Sequence, residues 1–171
     1  LSDVVIACSP FVKETHSRLV SEEKIKVAFW GVDSESFTPD WEWQRNRVAP
    51  GVPLELLFVG GDFIRKGLVY LILALKEMGG VKLNIVGTNA RPSAEVLSQI
   101  EVESWGLVPH SQMPQIMRRH EVMVLPTLED GIAVAIQEGM ASGLVPITSP
   151  DAAEVFEDGV SGFRVPFRGV Q

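Results

Sequence analysis

From residue 54 onward, short apolar runs alternate with longer amphipathic stretches. The runs at residues 54–59 (LELLFV), 81–86 (VKLNIV), 121–125 (EVMVL) and 145–148 (VPIT) are short and apolar-rich, which predicts strands buried on both faces. Helices are predicted between them. One covers 66–78 and is closed by Gly79 and Gly80; another covers 93–104 and is capped by Ser93. A third covers 111–119, with Pro114 in its first turn, and a fourth covers 131–142 and is stopped by Gly143. A short strand over 106–108, a short helix over 151–157 and a last strand over 162–165 complete this half. Upstream, residues 3–8 (DVVIAC) read as a strand, 10–20 as a helix and 24–29 as a strand. Residues 31–53 hold Pro39, Pro50, Pro53 and the polar stretch 41–47 (WEWQRNR), and read as a loop linking two structural units. Strands and helices in this order predict an α/β fold: a doubly wound parallel sheet with helices on both faces.

Composition narrows the class. The 171 residues are enough for about one domain and part of another. Because the chain opens at Leu1 in what reads as mid-domain, without a signal peptide, it is expected to be a fragment. With 46% hydrophobic and 22% charged residues, it is neither disordered nor fibrous. The longest apolar run, 68–75, is far short of the roughly 20 residues that span a bilayer. A single cysteine, Cys8, excludes an internal disulfide and is compatible with a reducing, cytoplasmic compartment. The net charge of −7 argues against general nucleic-acid binding. That charge is segregated: residues 121–163 contain eight acids and no Lys, Arg or His, whereas residues 65–91 contain five bases. An anionic small ligand would therefore be held chiefly by the earlier segment.

In a doubly wound sheet, ligands sit beyond the carboxyl ends of the strands, so the strand-to-helix turns carry the candidate chemistry. In the first, Gly60 and Gly61 leave a strand and Arg65-Lys66 opens a helix, where unpaired N–H groups and two full charges favour phosphate. The Walker and Gly-x-Gly-x-x-Gly spacings are both absent. In the second, Gly87 ends a strand where a ligand can approach the backbone. In the third, Asp130 precedes Glu138 by eight positions. The plain reading makes Asp130 a helix cap and Glu138 a solvated helical residue. The chemical reading puts the two carboxylates on the order of 12 Å apart, too far for a glycosidase pair but suited to gripping two ends of an elongated ligand. His16, His110 and His120 have no metal-ligand spacing with one another or with Cys8. Neither a Gly-x-Ser-x-Gly elbow nor a Ser-His-Asp grouping is present.

Residues 56–67 (LLFVGGDFIRKG), 105–109 (WGLVP) and above all 122–145 (VMVLPTLEDGIAVAIQEGMASGLV) resemble the C-terminal half of retaining GT-B glycosyltransferases, the large group that includes sucrose synthases and bacterial mannosyl- and glucosyltransferases. Residues 24–37 (KIKVAFWGVDSESF) resemble the Gly-Val-Asp…Phe segment that closes the N-terminal domain in that family. The resemblance implies the Rossmann-like half of a GT-B fold, divided into residues 1–32 (tail of the N-terminal, acceptor-side domain), 33–53 (linker) and 54–171 (nucleotide-sugar domain). It further implies transfer of a sugar with retention from a UDP- or GDP-linked donor, used as substrate, with no cofactor and no metal. Lys66 would bind the diphosphate, with Arg65 replacing a family arginine that falls here on Gly61. Asp130, where the family has Glu, would meet the transferred sugar. The N–H groups of Gly131, Ile132, Ala133 and Val134 would contact sugar hydroxyls and phosphate. Glu138 would take the ribose hydroxyls, and Val108, Pro109, His110 and Met113 would lie near the base. The expected partners are the nucleotide-sugar, the missing N-terminal domain, and a glycan, lipid or small-molecule acceptor, with membrane contact at most peripheral. The alternative is a non-catalytic relative used for protein contact or assembly. A receiver-type domain would need an early acidic cluster that is missing here.

Overall fold

The computed structural model describes residues 3–47, 51–87, 93, 95, 98, 100–152 and 154–166. Six parallel strands form the main sheet: β3 (Leu54–Val59), β4 (Val81–Val86), β5 (Glu101–Gly106), β6 (Val122–Leu125), β7 (Val145–Thr148) and β8 (Phe163–Arg164). Their spatial order is β5-β4-β3-β6-β7-β8. A separate parallel pair joins β1 (Val5–Ala7) to β2 (Ile25–Val27), flanked by helix α1 (Pro10–His16). Further helices are α2 (Trp41–Arg47), α3 (Leu68–Leu75), α4 (Met113–Met117) and α5 (Val134–Ala141).

The strand order explains where a ligand can sit. The chain runs outward from β3 to β4 and β5, then returns to place β6 on the other side of β3. The connections leaving β3 and β6 therefore diverge and open a crevice at their carboxyl ends, the switch point of a doubly wound sheet. The strands beside it are deeply buried. Leu56, Leu57 and Phe58 of β3 and Met123, Val124 and Leu125 of β6 are consecutive core residues, as strands covered on both faces require. Leu68 and Ile136, from α3 and α5, are buried in the same core. Gly139 lets α5 settle on β6, since a Cβ there would meet the Met123 side chain at 3.1 Å.

Several sequence expectations are corrected. The proline-flanked stretch 31–53 contains a helix, α2, read as loop because its residues are polar and its neighbours are breakers. It docks on the main sheet unit: Gln44 Nε2 donates to the Gly143 carbonyl at 3.2 Å, and Arg47 reaches Glu121 at 3.0 Å and the Pro53 carbonyl at 2.8 Å. Residues 101–104, read as the end of a helix, belong to strand β5, which displaces the strand expected at 106–108. This edge strand alternates exposed and half-buried residues, so its period-two pattern was the signal overlooked. Residues 94, 96, 97 and 99 of the expected helix lie outside the described residues, as does most of the turn after Gly87. At the N-terminus the helix expected over 10–20 ends at His16. Residues 111–119 shorten to α4 after a turn of 3-10 helix, His110–Gln112, and 151–157 reduce to the 3-10 turn Pro150–Ala152.

Two helix starts also move. α3 begins at Leu68 instead of residue 66, because Gly67 adopts φ 78, a left-handed conformation outside the helix. α5 begins at Val134 instead of residue 131, with Ala133 at the cap position. Gly67 is obligatory on a second count: a Cβ there would collide with the Pro126 carbonyl oxygen. Gly67→Ala should therefore lower stability by more than about 2 kcal/mol, read from the urea midpoint at constant slope.

His120, between α4 and β6, is 3% exposed. Its Nδ1–H donates to the Ile116 carbonyl at 2.8 Å, and its ring meets the edge of Trp105. Burial holds its imidazole below the ordinary value of 6.5, an effect only partly opposed by that hydrogen bond. The unfolded chain consequently binds the proton more readily, and stability should fall as pH drops below 6.5, by up to about 1.4 kcal/mol per pH unit from this group. His120→Gln should flatten that part of a stability-versus-pH curve.

Candidate functional site

The crevice at the switch point is built by two loops, 60–67 after β3 and 126–133 after β6. Asp62 shapes the first loop, its Oδ1 accepting from the N–H groups of Ile64 and Arg65 at 3.1 and 3.0 Å. This local turn presents Arg65 and Lys66 before the helix begins. The loops are then stitched together. The Leu128 N–H donates to the Arg65 carbonyl at 2.8 Å, and the Thr127 hydroxyl lies within 3.1 Å of the same oxygen. Arg65 Nη1 returns a bond to the Glu129 carbonyl at 3.3 Å. Thr127 is fully buried, and its pairing was not foreseen from sequence, although it occupies the turn directly after Leu125-Pro126.

Lys66 forms an ion pair with Asp130, and the two side chains are only 16% and 10% exposed. Asp130 is thus not the cap of α5; its carboxylate belongs to the crevice. The lysine stem lies across Gly60, where a Cβ would meet Lys66 Cγ at 2.9 Å. Gly60, Gly61 and Gly87 stack backbone on backbone: Gly87 has φ 96, and a Cβ there would lie 3.3 Å from the Gly60 carbonyl carbon. Gly60, Gly61 and Gly87 consequently offer bare backbone next to the Lys66 stem.

Glu138, in α5, is the second buried acid, with its side chain 12% exposed. Its Oε1 lies 2.7 Å from His110 Nε2. His110 comes from the loop after β5, next to Val108, Pro109 and Met113, and its ring faces that of buried Phe37 with centroids 5.6 Å apart. Gly131 nests against the N-terminal segment, where a Cβ would meet Val12 Cγ2 at 2.6 Å and Cys8 Sγ at 3.6 Å. Ile132 and Val134 are half-buried beside it, and Ala133 is buried.

Among the expected residues the structure forms two pairs, Lys66–Asp130 between the loops after β3 and β6 and His110–Glu138 between the turn after β5 and α5. Sequence reasoning had not linked His110 to Glu138, nor assigned Val12 or Cys8 to this region. Phe37 was quoted only as the end of the Gly-Val-Asp…Phe segment. Chemically, these loops and α5 offer a lysine, an arginine, helix N–H groups, two carboxylates and the bare backbone of Gly60, Gly61 and Gly87. That set suits a ligand carrying both anionic and hydroxyl groups.

Removing one partner from the Lys66–Asp130 pair leaves a buried charge unbalanced. Lys66→Met alone should destabilise by about 3 kcal/mol, and adding Asp130→Leu should recover most of that loss. Additive losses in urea denaturation of the two singles and the double would show that the pair is not coupled.

Comparison with known proteins bears on the fold and the family. The chain is 29% identical over 167 residues to a putative colanic acid biosynthesis glycosyltransferase, WcaL, of Salmonella typhimurium, covering 87% of this chain and 40% of the relative. It spans less than half the length of the curated relatives it matches. HepE of Anabaena, solved in complex with UDP and glucose, superposes with a TM-score of 0.82 at 20% identity, over 100% of this chain and 51% of that one. A sucrose-phosphate synthase from Thermosynechococcus elongatus gives a TM-score of 0.83 at 22% identity, over 99% and 47%. These likenesses establish the fold as the Rossmann-like half of GT-B. The family described as Glycosyl transferases group 1 matches residues 53–171. That stretch is most of the chain, which therefore belongs to the glycosyl transferases group 1 family.

Proposed function

We propose that this chain supplies the donor-binding half of a retaining glycosyltransferase that moves a hexose from a UDP- or GDP-linked donor to an acceptor. The observations that support the reading are two acid pairs on the elements that frame the switch point, Lys66–Asp130 between the loops after β3 and β6 and His110–Glu138 between the turn after β5 and α5. HepE, whose fold is similar, was solved with UDP-glucose and with UDP.

In this reading Lys66 and Arg65 neutralise the diphosphate, whose negative charge grows as the sugar–phosphate bond breaks. The N–H groups of Gly131, Ile132, Ala133 and Val134 add neutral donors to phosphate and sugar hydroxyls. On donor binding, Lys66 exchanges Asp130 for phosphate, and the released carboxylate accepts hydrogen bonds from the sugar. Glu138 accepts from the ribose hydroxyls. The loop carrying Val108, Pro109 and His110, with Met113, flanks the base, while Gly60, Gly61 and Gly87 allow the ligand close to the backbone. Retention follows from attack on the same face as the departing phosphate, which itself assists the acceptor hydroxyl. Neither a protein nucleophile nor a metal is required in that scheme, and the nucleotide-sugar is substrate instead of cofactor.

Residues 1–32 then close an N-terminal domain that carries most of the acceptor site, 33–53 link the halves, and 54–171 hold the donor. The acceptor is a glycan, a lipid or a small molecule handled in the cytoplasm, with membrane contact at most peripheral. Among the described residues no helix is long and apolar enough to cross a membrane. Two observations favour the second reading, a non-catalytic module: Lys66 is already paired with Asp130, and glycine stands at 61, where the resemblance places an arginine.

Calorimetry with UDP, GDP, ADP and their sugars separates the readings. The first expects binding that weakens about tenfold or more in Lys66→Ala and in Glu138→Ala. Absence of binding by any of these ligands would overturn it.

A further inference from the structure

His110 is bound to an acid on another element, not merely placed near a base. Its Nε2 reaches Glu138 Oε1 at 2.7 Å, although the imidazole is 73% exposed and the carboxylate almost buried. Glu138 Oε2 takes no hydrogen bond among the described residues, yet it is not a buried orphan atom. One oxygen is thus held by the protein while the other faces accessible space.

The imidazole is itself held in place. Phe37 lies against it from the interdomain segment, and that segment is locked by Asp33. The Asp33 carboxylate accepts from the Ser36 hydroxyl at 2.6 Å and from the N–H groups of Glu35 and Ser36, bonds that keep it below the usual carboxylate range. Phe37 N–H donates to the Asp33 carbonyl, and Arg118 fastens the Ser36 carbonyl at 3.2 Å. A continuous path of contacts runs from Asp33 through Phe37 and His110 to Glu138.

We propose that His110 is a positioning residue for Glu138. It fixes the carboxylate rotamer through one oxygen so that the other is presented to the vicinal hydroxyls of the nucleotide ribose. The proposal rests on the donor-binding reading above and assigns His110 a role distinct from base contact. Its physical logic is charge as well as geometry. A bare carboxylate near a diphosphate repels it, and a hydrogen bond from His110 draws off part of that charge while leaving one oxygen to accept.

The test uses the whole chain and whichever of UDP, GDP and ADP binds, beside its 2′,3′-dideoxy analogue. Wild type should prefer the ribose form by about tenfold or more. His110→Ala should bring that ratio close to one by weakening the ribose form far more than the dideoxy form. His110→Gln, whose amide can donate in place of the imidazole, should restore most of the preference. His110→Ala/Glu138→Gln should lose no more discrimination than Glu138→Gln alone. Equal weakening of both ligands in His110→Ala would make His110 a direct base contact and overturn the proposal, as would an unchanged ratio. A wild-type chain that binds both forms equally removes Glu138 as the ribose acceptor, and the proposal with it. No binding of any of the three nucleotides refutes the donor-binding reading itself.

Discussion

One buried ion pair organises this molecule. Lys66 leaves the β3 connection, Asp130 leaves the β6 connection, and the two meet where the doubly wound sheet parts them. Strand order alone would leave an open cleft lined with backbone. The pair spans it, and the bonds from Leu128, Thr127 and Arg65 fix its depth. Gly60 lies under the lysine stem of that stitch, while Gly131 is set against Val12 and Cys8 and Glu138 against His110. A buried pair of this kind adds little net stability compared with apolar packing.

Much of the fold could be read from period and punctuation. The near-continuous apolar runs of β3, β4, β6 and β7 gave their positions, and the strand–helix alternation gave the parallel sheet. The errors share a cause, since they fall where local pattern and tertiary demand diverge. Gly67 stops the α3 helix from reaching Lys66 because the β6 loop crosses there, a contact 59 residues away in sequence that no window can register. β5 lies at the sheet edge with one strand neighbour, so its alternation resembled a polar helix end. α2 is polar because it is held by Gln44 and Arg47 instead of an apolar stripe.

The candidate site was legible in part. The spacing of Asp130 and Glu138 and the basic pair at 65–66 named the right loops, but their partners came only from the structure. The linking of Glu138 to His110 joins α5 to the turn after β5, 28 positions apart, and neither residue carries a local signature of the other. Val12 and Cys8 were invisible for the same reason: their contact with Gly131 depends on how the first strand–helix unit lies over the β6 loop.

That contact sets the smallest piece of the protein that can carry the crevice intact. The stretch shared with the family starts at residue 53, yet the surface of Gly131 is covered by Val12 and Cys8, and the ring beside His110 is Phe37. A chain trimmed to the shared stretch would keep its sheet and lose one wall of the crevice. The boundary drawn by common ancestry and the boundary drawn by physical completeness do not coincide, and excision for crystallography or for grafting onto another scaffold should follow the second.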